Sequence, residues 1–208
     1  DAPAPESEAD KVEILRGPNI KPFPQSKPLD DVTGGRAVLK TGDNITTDHI
    51  MPAGAKILPY RSNIPYLSKF CFGSVDPDFS DRCKEYGGGF IIGGANYGQG
   101  SSREHAALVP LYLGIKAVIV KSFARIHKAN LINAGVLPLT FANEADYDNI
   151  SLNDELVLSN IKDGIKNNSV KLYNKTTGKD IAVELDLSDR QKDMMLAGGL
   201  LNYTKQNS

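Results

Sequence analysis

Gly89-Phe90-Ile91-Ile92-Gly93-Gly94 and, four residues on, Gly98-Gln99-Gly100-Ser101-Ser102-Arg103-Glu104-His105-Ala106-Ala107-Leu108 decide the fold class. The first run is a short apolar segment between glycines and reads as a buried strand. The second opens on two glycines, which strip side chains from a tight turn and let a ligand approach the backbone. Two hydroxyls and a guanidinium follow at a helix start expected near Ser102. Exposed amides, the positive end of a helix dipole and an arginine fork together suit a carboxylate or a phosphate. A strand-to-helix turn is also where α/β proteins often place ligands. The same residues fit an ordinary capped helix, because Ser101 and Glu104 stand at capping-box spacing. Capping leaves Arg103, beside two serines and two glycines, without a reason. The spacing is neither that of a P-loop, which needs Gly-Lys-Ser/Thr, nor of a nucleophile elbow, Gly-x-Ser-x-Gly.

Upstream of this turn, Arg36 to Lys40 reads as a first strand, and Thr41 to His49 is a loop rich in turn formers. A long irregular insertion then runs to about Gly88, with one short helix near Tyr66 to Cys71. Downstream, the helix that follows the serines should end or kink just before Pro110. Lys116 to Val120 is a β-branched strand. Phe123 to Ala134 carries apolar residues at helical spacing, with Gly135 as its C-cap, and Val136 to Thr140 resumes extended structure. The last third offers short strands at Glu155 to Leu158, Val170 to Tyr173 and Ile181 to Glu184. A final helix runs from the N-cap Ser188 through Leu196 and stops at Gly198-Gly199. The prediction is an α/β domain over residues 36–208, with a mixed sheet and flanking helices. Residues 1–35, interrupted by Pro18, Pro22, Pro24 and Pro28, read as a linker from a preceding domain.

Composition narrows the functional classes. A net charge of −1 with 24% charged residues leaves no basic excess for nucleic acid, and no apolar run approaches membrane-spanning length. The acidic start, Asp1 to Asp10, has neither the basic nor the apolar region of a signal peptide and looks cut from a longer polypeptide. Without a secretory signal, Cys71 and Cys83 read as free thiols in a reducing compartment, here expected to be the cytoplasm. His49, His105 and His127 lie far apart in sequence, so no metal site is legible. Two cysteines cannot hold a cubane iron–sulfur cluster.

With the glycine turn placed, other segments fall into line. Thr46-Thr47-Asp48-His49-Ile50, Gly98 to Leu108, Ser122-Phe123-Ala124-Arg125-Ile126-His127 and Leu137-Pro138-Leu139-Thr140-Phe141 resemble, in order, the C-terminal swivelling domain of the aconitase and isopropylmalate dehydratase family. The resemblance covers roughly residues 36–200. The short spacing from Arg61 to Ser101 is similar to that of compact bacterial aconitases and of isopropylmalate dehydratase small subunits.

The resemblance implies a β/β/α swivelling fold. It also implies a four-iron–four-sulfur cluster held by three cysteines elsewhere, in cluster-bearing N-terminal domains or a large subunit, and a tricarboxylate substrate. The implied reaction is that of a hydro-lyase interconverting citrate and isocitrate through cis-aconitate. Ser101 then matches the serine that removes a proton as an alkoxide, Ser102 and Arg103 match carboxylate binders, and Arg61 matches the arginine gripping the far carboxylate. The spacing leaves open that Ser101 is the cap and Ser102 the reactive hydroxyl.

Around this set, Asp48 and His49 either orient one another or serve local turn chemistry, and His105 faces the interior or a supporting partner. Arg125 and His127 are expected to fix packing or contact the other domain. The rival within the family is the small subunit of a 3-isopropylmalate or homoaconitate dehydratase. Arg61 suits a third carboxylate, while Ile57 and Leu58 beside it suit an alkyl group. An RNA-contacting module, disfavoured by the charge balance, and a metabolite-binding regulatory domain are the rivals from other classes.

Overall fold

The computed structural model describes residues 27–54 and 57–208, so most of the expected linker lies outside the described residues. The first described strand, β1 (Thr33–Lys40), starts three residues before the predicted Arg36. Thr33-Gly34-Gly35 falls in the expected linker, yet a Cβ on Gly35 would stand 3.2 Å from the Gly89 backbone. The glycine therefore permits a close strand approach.

The other strands are β2 (Gly89–Ile92), β3 (Ile115–Val120), β4 (Leu137–Phe141), β5 (Glu155–Ser159), β6 (Ser169–Asn174) and β7 (Lys179–Glu184). They close into a barrel in the order β1-β2-β3-β4-β7-β6-β5. β1 to β4 pair in parallel, whereas the β4–β7, β7–β6, β6–β5 and β5–β1 pairings are antiparallel. The predicted mixed α/β sheet with flanking helices is what the chain forms, and the closure of that sheet adds to it.

The two halves of the barrel are covered differently. Alternate residues of every strand, among them Phe90, Ile119, Leu139, Leu158, Leu172 and Val183, meet in one core inside the ring. The opposite faces of β2 and β3 (Ile91, Val118, Val120) join a second core with the helices packed outside them. β2 and β3 are thus buried on both faces and read as apolar runs, while β6 alternates exposed and buried residues along its length.

Those outer helices replace much of the expected irregular insertion. They are α1 (Thr47–Ile50), α2 (Ile64–Leu67) and α3 (Phe79–Tyr86), with 3₁₀ turns at Leu58–Tyr60 and Ser68–Phe70. The predicted helix after the serines begins later than Ser102: α4 runs His105–Tyr112, with Glu104 as an N-cap that makes no side-chain capping bond. The Ser101–Glu104 capping box therefore does not form. Pro110 does not end α4 but sits inside it, two residues before its last residue Tyr112, and the helix closes through Leu113 N–H to Val109 O at 3.0 Å. A helix this short has little ladder left for a proline to break.

α5 (Arg125–Ala134) ends at Gly135 in the left-handed region, as predicted. α6 (Ile161–Asn167) was not legible. α7 (Asp189–Ala197) has the predicted Ser188 cap, here a full capping box with Gln191, and α8 (Leu200–Gln206) follows the glycines. Among the described residues no helix is long and apolar enough to cross a membrane.

Candidate active site

The loops leaving the C-terminal ends of β1, β2 and β3 lock together, and this fixes the serine turn. Ile45 O accepts from Gly98 N–H at 2.7 Å and Gln99 N–H at 3.2 Å, while Tyr97 N–H donates to Ser122 O at 3.0 Å and Ala124 N–H returns to Tyr97 O at 2.9 Å. Gly98 has φ +90°, and a Cβ there would lie 2.4 Å from the His127 side chain, so position 98 admits no larger residue.

Each residue of Thr46-Thr47-Asp48-His49 contributes a contact. Thr46 caps α1: its Oγ1 accepts from His49 N–H at 3.0 Å, and its own N–H donates to His49 Nδ1 at 2.9 Å. Thr47 N–H donates to Gln99 O at 2.9 Å, and its Oγ1 donates to Ser101 O at 2.8 Å. Asp48 pairs with Arg103, Oδ1 to Nη1, at 2.9 Å. Asp48 and His49 thus do not orient one another. Adjacent helical residues point some 100° apart, so one reaches the serine turn and the other closes a local cap.

Ser101 is exposed, and its hydroxyl has no partner among the described residues. Nor do the amides of residues 100–103 find an acceptor there. A run of free N–H groups ahead of α4, with the Arg103 guanidinium beside it, is a preorganised field for negative charge. Ser102 Oγ accepts from Asn130 Nδ2 of α5 at 3.3 Å. His105 is half-buried, and its Nε2 meets the backbone carbonyl of Arg61.

A cleft of about 310 Å³ lies against this turn, and Arg61, Ser102, Arg103, Glu104 and His105 are among its lining. Met51, Pro52, Ala53, Ile57 and Leu67 supply the apolar part of that lining. Its size is at the low end of the ~300–1,000 Å³ usual for small-molecule sites. The Arg61 guanidinium is exposed and unpaired among the described residues. The fold therefore gathers Arg61, Ser102, Arg103 and His105 around one cleft, with Ser101 next in the chain but outside the lining. Asp48, outside the lining, pairs with Arg103, and His49 stays in its cap.

Residues 71–144 match the aconitase C-terminal domain family. The 3-isopropylmalate dehydratase small subunit 2 of Archaeoglobus fulgidus is 40% identical, over 83% of this chain and 94% of its own. The chain belongs to the aconitase and isopropylmalate dehydratase family. A probable mitochondrial aconitate hydratase of Dictyostelium discoideum is 35% identical over 96% of the chain, which spans 28% of that relative's length. In structure, 3-isopropylmalate dehydratase of Methanocaldococcus jannaschii superposes with a TM-score of 0.69 at 32% identity, over 85% of this chain and 95% of its own. Both hydro-lyase branches of the family are thus represented among its relatives.

Thr47 and Asn130 are site contacts that the sequence did not reveal. Thr47 acts on backbone carbonyls, which leave no residue pattern, and Asn130 reaches Ser102 from a helix 28 residues away. Arg125 is exposed and His127 buried, so only the second fixes packing within this chain. Cys71 and Cys83 are both buried, and burial pushes both thiols up, Cys83 to about 12. Inert structural cysteines behave in this way. Among the described residues no three His, Cys, Asp or Glu side chains gather into a metal-holding group.

Proposed function

We propose that this chain is the swivelling part of a hydro-lyase that interconverts citrate and isocitrate through cis-aconitate, the aconitase reaction of the tricarboxylic acid cycle. The observation that carries this reading is the pair of guanidinium groups, Arg61 and Arg103, on one cleft beside the serine turn. A polycarboxylate needs several cationic anchors, and arginine forks match carboxylate geometry better than a lysine point charge. In this reading Asp48 holds Arg103 in place at 2.9 Å. Ser102 donates its hydroxyl to a carboxylate, because its oxygen already accepts from Asn130.

Ser101 is the base. Its hydroxyl is free, and the unpaired amides of its turn with Arg103 stabilise the alkoxide that takes the substrate proton. The iron–sulfur cluster belongs to a companion part of the enzyme, either N-terminal domains or a large subunit. The two buried thiols fit a reducing compartment such as the cytoplasm.

A second reading rests on the apolar lining of Met51, Ala53, Ile57 and Leu67, which would suit the alkyl branch of isopropylmalate. The complete enzyme decides between them when assayed with cis-aconitate and with isopropylmalate. We expect turnover of the tricarboxylate, and a fall in kcat on the order of 10³-fold for Ser101→Ala with KM little changed. Selective turnover of isopropylmalate would transfer the assignment to the dehydratase branch. A crippled Ser102→Ala beside a near-normal Ser101→Ala would exchange the roles of the two serines.

A further inference from the structure

The loop that carries Arg61 is clasped at both ends by the residues around the start of α4. At its start, Arg103 Nη1 lies 3.5 Å from the Met51 carbonyl oxygen. At its end, His105 Nε2 contacts the Arg61 carbonyl oxygen, 44 residues away in sequence. A carbonyl only accepts, so the imidazole donates and carries its proton on Nε2. Among the described residues of this loop the backbone bonds are local: Ile57 N–H to Gly54 O at 2.8 Å, Tyr60 N–H to Ile57 O at 2.9 Å and Asn63 N–H to Tyr60 O at 2.7 Å. Such bonds shape turns; Ile57 and Tyr60 pack their side chains against the outer core, and the His105 contact adds a hydrogen bond from α4 to the Arg61 backbone itself. His105 is the first residue of α4 and is followed by the buried Ala106 and Ala107, so its own place is set by the core.

We propose that His105 is a positioning residue that sets substrate choice, by holding the Arg61 carbonyl and so fixing how far the Arg61 guanidinium stands from that of Arg103. The inference rests on the reading that these two arginines bind substrate carboxylates. Two anchored guanidinium groups select a substrate whose carboxylates match their span. Without the anchor, the loop must be ordered anew for each carboxylate it grips, which weakens binding. The apolar lining includes Met51 and Leu67, outside the stretch His105 restrains, and would still hold an alkyl branch. Removing the anchor therefore costs discrimination rather than chemistry.

The test uses the complete enzyme with His105→Ala and His105→Gln, since glutamine keeps an N–H donor at similar reach. Steady-state kinetics with cis-aconitate and isopropylmalate is paired with limited trypsin digestion, reading cleavage at Arg61–Ser62. For His105→Ala we expect KM for the tricarboxylate to rise about tenfold with kcat within about threefold, in line with one lost hydrogen bond. Preference over isopropylmalate should fall to match, and tryptic cleavage at Arg61 should quicken several-fold as the loop opens. His105→Gln should restore most of both. An unchanged preference and cleavage rate in His105→Ala, with the wild type turning over the tricarboxylate, would overturn this inference alone. A collapse of kcat at constant KM would also overturn it, placing His105 in the chemistry. A wild-type enzyme inactive on the tricarboxylate would overturn the reading beneath it as well.

Discussion

His127 lies under the serine turn with 2% of its surface exposed, and neither ring nitrogen has a partner among the described residues. Burial pushes its pKa down to about 4. The unfolded chain, with the ordinary value near 6.5, binds the proton more readily, so folding is favoured above about pH 6.5 and progressively weakened as pH falls towards 4. The expected loss is on the order of 3 kcal/mol across that window, read as a falling urea midpoint. His127→Phe should flatten this part of the pH profile, and an equally steep loss in that variant would assign it to other groups. At this scale the sequence offers candidates by side-chain type: Ser101, Ser102 and Arg103 stand out as hydroxyls and a guanidinium among glycines, while Arg61 is picked out by the family resemblance. It was illegible where a residue works through backbone carbonyls, as Thr47 does on Gln99 and Ser101.

Among the elements, α6 shows why propensity alone misjudges a short helix. It opens and closes on asparagines in the left-handed region, Asn160 at φ 57° and Asn168 at φ 58°, and carries Gly164 in its interior. Those residues read as a loop. An exposed helix would gain about 1 kcal/mol from Gly→Ala. Here a Cβ would stand 2.6 Å from the Ser169 carbonyl and 2.8 Å from Val170 Cγ2. Gly164→Ala should therefore destabilise the protein by about 1–3 kcal/mol, the usual cost of overpacking. Chemical denaturation measures this, and a stabilised variant would show that helix and strand can move apart freely. α3 hid for a related reason: its buried face is Phe79, Ser80 and Cys83, too little apolar surface to print a period. Strands were easier, because β-branched runs such as Ala117-Val118-Ile119-Val120 and the alternation of β6 leave a plain signature. Barrel closure was not legible, since the β4–β7 joint rests on only Thr140–Glu184 and Phe141–Val183.

For the molecule as a whole, the two cores make Cys71 and Cys83 reporters of opening. Both are at most 2% exposed and lie in the core that packs outside the parallel strands. Iodoacetamide at mildly alkaline pH should label them only as fast as the structure opens, accelerating in step with urea unfolding. Labelling at the rate of a free thiol in native buffer would contradict the buried placement. The closed ring of strands has a different consequence. The same unit makes up 28% of a long aconitate hydratase and 94% of a separate dehydratase subunit. An open sheet severed from a larger protein would bare an unpaired edge and invite aggregation. A ring has no such edge to bare, so gene fission and fusion in this family can rearrange which polypeptide carries the unit without first inventing a way to protect it.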